Sequence, residues 1–521
     1  MNKKVYIFDT TLRDGAQAEG ISFSTQDRLD ILTALDELGI DFVEAGNPAS
    51  NPKEAEFFEH AKNLKLKSTK LVAFGNTRRK GVSPREDTSC LSLLDAGTLY
   101  VSVVGKCHTG QVRDILGVTQ EENLAMIEDT CRFLTDNGKK VIFDAEHFYD
   151  GYKSDPVYAV DALRAAARGG AFCLCLCDTN GGAFPSEIFE ITGKISAEFK
   201  DLSIGIHAHN DGDMATANAV SGVRAGATQV QGTFLGFGER TGNTALTSVI
   251  PNLQLKLGFE CIPPENMQNL VSAAISIAET ANISLRKNLP FVGRSAFAHK
   301  AGMHADAVLK SAGSFEHINP DLIGNKRRFL VSEMSGKAAI LRKINKYYPD
   351  IDKDSPAVEK IVGIIKDKEH NGYQYEGADA SLELTIRKVV EGVPSFFDLI
   401  SYKVLDELPY DNNHSATATI KLTVNGVLKI AASDGEGPVN ALDKALREAL
   451  SDFYPKLTKV HLIDYKVRVI EPKDATAAQV RVLITSTDGS EVWTTVGLSQ
   501  DIIEASFTAL TDSIEHILIK K

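Results

Sequence analysis

KKVIFDAEHFYDGYKSDPVYAVDALRAAARGGAFCLCLCDT, residues 139–179, decides the fold. It opens with an apolar, strand-like run (139–148) that ends in Asp144, Glu146 and His147. A segment with Pro near its start and apolar residues three and four apart follows (155–170), which is the spacing of an amphipathic helix. A second apolar run (172–179) ends in Asp178 and Thr179. Strand, helix, strand, with both strands apolar almost throughout, describes two parallel strands covered by a helix.

The same grammar recurs on both sides. Strand-like runs lie at 5–11, 41–46, 70–75 and 99–105 before it, and at 203–210 and 228–238 after it. Helical spacing fills 24–39, with Ser24 as N-cap and a closing Gly39, and also 119–138 and 185–199; a short helix is expected at 84–95. Eight βα units in roughly 255 residues is the size of a (β/α)₈ TIM barrel. The competing doubly wound sheet usually has fewer strands, and no GxGxxG opens a helix after the first strand.

Active sites of such barrels sit at the C-terminal ends of the strands. Here those ends carry Asp9, Thr10, Arg13, Asp14 and Gln17; then Glu44 and Asn47; then Asp144, Glu146 and His147; then Asp178, Thr179 and Asn180. His207, His209, Asn210 and Asp211 follow, and the last strand leads to Glu239, Arg240 and Asn243. Caps and turns account for one or two of these, not for polar groups from six strands. In "IHAHND" (206–211), alternation sends His207 and His209 to one face of a strand. Two imidazoles side by side are either a solvated strand end or a pair of metal ligands. Asp14 can add a carboxylate and Asn243 an amide oxygen, a mixed set suited to Mn²⁺, Mg²⁺ or Zn²⁺. Such a cation with open positions polarises a carbonyl. Arg13 is then a second positive group on an oxygen that gains charge.

The 521 residues carry a net charge of −12, which excludes a surface built for nucleic acid, and an anionic substrate must find its positive charge locally. Seven scattered cysteines without a CxxC pair fit a reducing compartment. Cys173, Cys175 and Cys177 share a strand face and are read as core filler rather than zinc ligands. No secretory leader or membrane-spanning run is evident, so a cytoplasmic protein that meets no membrane is expected. Cys107 and His108, adjacent on an extended segment, point apart and are not read as a nucleophile pair. "TRRKG" (77–81) is either a solvated loop or an attractor of ligand phosphates.

"FDTTLRDGAQAEG" (8–20) and "GIHAHNDGDMATANAVSGVRAGATQVQGTFLGFGERTGNTAL" (205–246) resemble the two signatures of the 2-isopropylmalate, homocitrate and citramalate synthase family. The resemblance extends through "CDTNGG" (177–182), "AFAHKAGMHADAV" (296–308) and "DGEGPVNALDKALREAL" (434–450), and "GNPASNPKEAEFF" (46–58) with "EHFYDGYK" (146–153) looks most like the citramalate branch. It implies a Claisen-type condensation of acetyl-CoA with a 2-oxo acid, followed by thioester hydrolysis. For the citramalate branch the acid is pyruvate, on the route to isoleucine. Arg13 would stabilise the developing alkoxide, Thr179 and Asp144 would bind the substrate, and Asp14, His207, His209 and Asn243 would hold the cation. Glu146 would orient or polarise. His304, in "GMH", matches the histidine that a partner subunit contributes as base; His299 is the alternative. A Tyr that assists the base in some members has no counterpart in "GNKRRFLVSEMSG" (324–336).

Three domains are expected: the barrel (1–274), a linker reaching the partner's site (275–398), and a C-terminal domain (399–521). In the last, 415–450 and 477–514 repeat one pattern of alternating strands, tight turn and amphipathic helix, which suggests a duplicated βββα unit. The resemblance makes it a dimerisation and regulatory domain that binds an amino-acid end product, isoleucine or leucine, in a homodimer. The alternatives are 2-isopropylmalate synthesis from 2-oxoisovalerate, homocitrate synthesis from 2-oxoglutarate, a 3-hydroxyacyl-CoA lyase, and a non-catalytic amino-acid sensor.

Overall fold

The computed structural model describes residues 3–300, 302–329, 337–392, 395–411, 414–470, 478–489 and 491–520. The chain divides into two compact units, Met1–Phe297 with His317–Arg327, and Ala298–Glu316 with Arg328–Lys521.

In the first unit eight strands close into a barrel: β1 (Tyr6–Asp9), β2 (Phe42–Glu44), β3 (Lys70–Asn76), β4 (Tyr100–Lys106), β5 (Lys140–Glu146), β6 (Cys173–Asp178), β7 (Ser203–Ala208) and β8 (Gln229–Gly232). Each pairs in parallel with the next, and β8 returns to β1 with Tyr6 opposite Gln229 and Asp9 opposite Gly232. The expected TIM barrel is therefore present. Two apolar layers explain the nearly continuous hydrophobicity of its strands. Val43, Val101, Phe143 and Ile206 face the surrounding helices. Phe8, Phe42, Val72 and Ile142 fill the barrel itself, together with Cys173, Cys175 and Cys177.

Local signals set the helix ends. Ser24 and Asp27 form a reciprocal capping box at the start of Thr25–Leu38, and Gly39 closes that helix in the left-handed conformation at φ 91°. Two boundaries differ from expectation. The run 228–238 is a strand only to Gly232, because Gly236 and Gly238 take positive φ and Phe234 and Leu235 are buried in a loop rather than in a ladder. The helix expected over 84–95 starts at Thr88, where Asp87 caps it through the backbone N–H groups of Ser89 and Cys90.

In the second unit, β9 (Ala298–His299) pairs with β10 (Arg328–Phe329), and helices run over Gly302–Lys310, Lys337–Asn345, Pro356–His370 and Asp379–Glu391. Then come β11 (Asp398–Asp411), β12 (His414–Val424), β13 (Val427–Gly435) and a helix over Pro438–Ser451. β14 (His461–Val469), β15 (Val480–Thr487), β16 (Val492–Ser499) and a helix over Ile502–Ile519 repeat the arrangement. Each antiparallel sheet keeps chain order, as expected of a duplicated βββα fold. Asn425 and Gly426, at φ 50° and 80°, make the tight turn between β12 and β13. Gly435 and Gly497 occupy matching places: a Cβ on either would collide with backbone of its repeat's helix, at Ala441 and Ala505. Trp493, the one tryptophan of the chain, is buried on β16 and donates from Nε1 to Ser513 Oγ at 2.9 Å.

Candidate active site

The barrel mouth encloses a cavity of about 560 Å³, a size suited to a small-molecule ligand. Arg13, Asp14, Gln17, Asp144, Glu146, Thr179, His207 and His209 all line it. Strand register brings them together: His207 lies opposite Cys177 of β6 and Gln231 of β8.

Asp14, His207 and His209 offer ligand atoms within 4.8 Å of one another. His207 Nε2 is 3.4 Å and His209 Nε2 3.9 Å from Asp14 Oδ2. Burial would raise the Asp14 carboxyl, but Arg13 and the two histidines outweigh it and hold it well below the usual range. Burial likewise opposes charge on His207, yet Asp14 prevails and the net shift is upward. His209 is pushed down to about 4 by burial and then by its neighbour His207. Asn243, 2 % exposed, pairs with His209 through an isolated backbone bridge. Its Nδ2 donates to Phe237 O at 3.1 Å, while its Oδ1 is buried without a partner. A buried oxygen left unsatisfied costs about 1–3 kcal/mol, and a cation beside it would remove that cost. Two ring nitrogens, a carboxylate and an orphaned amide oxygen thus fit a divalent metal. His209 Nδ1 meanwhile accepts from Arg240 Nη2 at 3.1 Å. That bond puts the proton of a neutral His209 on Nε2, so coordination there requires the Arg240 contact to be released.

Arg13 is fixed from three sides. Its Nε donates to the fully buried Glu44 at 2.6 Å, its Nη1 is 3.4 Å from Asp14, and its guanidinium lies 4.2 Å from the Phe74 ring centre. Ser102 donates to the other Glu44 oxygen. Asp144 accepts from Gln231 Nε2 at 2.8 Å, and burial, followed by the Glu44 charge, pushes it up to about 7. Glu146 is ion-paired with Lys106 at 2.6 Å. Thr179 Oγ1 accepts from the His147 N–H at 2.8 Å, which leaves its own O–H to donate toward the cavity. His147 takes the left-handed conformation at φ 58°, a strain often found at functional sites.

Two residues of this network, Gln231 and the anchor role of Glu44, escape sequence reading. The one available signal for Gln231 is its phase: Gln229 and Gln231 alternate with Val230, so two amides point into the barrel. In the "TRRKG" loop, Arg78 is committed to Glu122 and Asp129, both at 2.9 Å, and Arg79 to Asp87 at 3.0 Å. Cys107 is fully buried, and His108 caps the next turn through Nδ1. In the second unit His304 is exposed and stacks on Phe315 at 4.2 Å, whereas His299 is paired with the buried Glu316 at 3.0 Å. Residues 330–336 of the segment without a matching Tyr lie outside the described residues. No helix among the described residues is long and apolar enough to cross a membrane.

Residues 4–277 match the HMGL-like family, 291–372 the homocitrate synthase post-HMGL domain-like family, and 376–518 the LeuA allosteric (dimerisation) domain. The chain is 51% identical to the (R)-citramalate synthase of Aquifex aeolicus, over 100% of this chain and 99% of that one. It is 44% identical to the (R)-citramalate synthase of Synechocystis, over 98% of this chain and 96% of that one. A probable 2-isopropylmalate synthase of Methanosarcina acetivorans is more distant, at 30% identity over 100% of this chain and 96% of its own.

Proposed function

Because the chain belongs to the (R)-citramalate synthase family, we propose that it condenses acetyl-CoA with pyruvate and hydrolyses the thioester to give citramalate and CoA, on the route to isoleucine. The observation that carries this reading is the convergence of Arg13, Thr179 and the Asp14–His207–His209 group on one cavity. Asp14, His207, His209 and Asn243 would hold a divalent cation, Mn²⁺, Mg²⁺ or Zn²⁺, which when bound supplies Lewis acidity for the keto group.

The chain's own residues do the rest. Thr179 Oγ1 receives one N–H and donates its proton to the substrate carboxylate. Arg13, whose position is set by Glu44, presents its remaining N–H groups to the keto oxygen as charge builds there. Asp144, its carboxyl shifted upward, stands in the same cavity to bind the substrate. Glu146, neutralised by Lys106, orients the acetyl thioester. The methyl proton goes to His304 of the partner subunit, as its exposure permits; His299 is already engaged by Glu316. Homodimerisation and binding of isoleucine or leucine as feedback inhibitor at 376–518 complete the reading, supported by the LeuA match.

The test is CoA release, followed with a thiol reagent, on pyruvate, 2-oxoisovalerate and 2-oxoglutarate in parallel, with and without chelator. Turnover on pyruvate that chelation abolishes and Mn²⁺ restores is expected. Preference for 2-oxoisovalerate would move the chain to leucine synthesis. No CoA release with any of the three would overturn the synthase reading.

A further inference from the structure

We infer that Gln231 is a positioning residue that ties the metal-ligand side of the barrel mouth to its substrate side. It sits beside His207 in the β7–β8 ladder and is 1 % exposed. Its two amide atoms do different jobs. Nε2 donates to Asp144 Oδ1 at 2.8 Å, and Oε1 faces His207 Nδ1 at 3.1 Å. When ionised, Asp144 can only accept, and in that form it fixes which way the amide points. With the oxygen turned to His207, the imidazole must carry its proton on Nδ1. In the neutral ring this leaves Nε2, 3.4 Å from Asp14, as the nitrogen that can bind a cation shared with that carboxylate. One side chain thus sets the tautomer of a ligand and holds the carboxyl group of Asp144, across three strands of the barrel. The lever sits on β8, directly opposite His207.

This rests on the metal-site reading above, and its test separates the two. Mn²⁺ affinity of the full-length protein is measured by titration calorimetry, without substrate, for wild type, His207→Ala, Gln231→Leu and Gln231→Glu. Gln231→Leu removes both bonds, and Mn²⁺ binding is expected to weaken about 10–100-fold, the usual effect of losing a partner of a metal-bound histidine. Gln231→Glu still accepts from His207 but cannot donate to Asp144. It is expected to keep Mn²⁺ affinity within about threefold while the pyruvate KM rises at least tenfold, on the general pattern of lost buried hydrogen bonds. Because glutamate is isosteric with glutamine, that variant remains informative if the leucine variant misfolds. Wild-type Mn²⁺ affinity in Gln231→Leu, or equal losses of metal affinity in both variants, would overturn the inference. If wild type and His207→Ala bind Mn²⁺ equally, the metal-site reading itself fails and the inference with it.

Discussion

Arg13 shows how much one residue is asked to do. It pairs with both Glu44 and Asp14, rests on Phe74 and still lines the cavity. A guanidinium can do this because its five N–H groups lie in one plane and fork in fixed directions. Lysine would keep the charge and could satisfy one carboxylate, but not both the anchor and the substrate. Arg13→Lys is therefore expected to lower kcat by about 10²–10³, the range seen when one donor to a developing oxyanion is removed. Metal content by elemental analysis should stay at the wild-type level, since no ligand atom is lost. A wild-type rate would remove Arg13 from the reaction. The grouping of Asp14, His207 and His209 was legible in the sequence because residues two apart on a strand share a face and Asp14 follows the end of another barrel strand. Glu44 was legible as a polar strand end but not as the anchor of Arg13. Gln231 stands inside the quoted 205–246 stretch, but its role was not legible, because an amide in mid-strand acquires meaning only through the partners that barrel closure brings to it.

At the scale of elements, the βα alternation was readable because buried parallel strands admit few polar residues. Boundaries were less so: Phe234 and Leu235 extend the hydrophobic run of β8, but they bury themselves from a loop. The C-terminal repeats were readable from alternation and turns, whereas the helix-to-sheet distance was not. That distance depends on Gly435 and Gly497, whose missing side chains let each helix lie directly on its third strand. Gly497→Ala forces a Cβ against the Ala505 carbonyl carried by the Ile502–Ile519 helix. The substitution is expected to destabilise the C-terminal domain by about 1–3 kcal/mol, as overpacking does. Calorimetry should show the transition of that domain moving down while the barrel's transition stays in place. Equal shifts of both, or none, would contradict this account.

At the scale of the whole molecule, the proposal makes each site a shared one, with the barrel of one subunit and His304 of the partner subunit. Two inactive variants should then rescue each other. Arg13→Lys and His304→Gln, denatured together and refolded as a mixture, are expected to recover about one quarter of wild-type activity per site. This follows from random pairing, in which half of the dimers are mixed and each mixed dimer keeps one intact site. No recovery would place base and barrel in the same chain. The placement of Trp493 has a separate use. As the single indole of 521 residues, it lies within the second repeat, with the His516 ring 5.8 Å away. Its indole emission, excited beyond the absorption of the 13 tyrosines, is therefore a spectroscopic channel that sees the C-terminal fold alone. That emission will register the melting of the domain, or any ligand that settles into it, and will stay silent about events inside the barrel unless they are transmitted to β16.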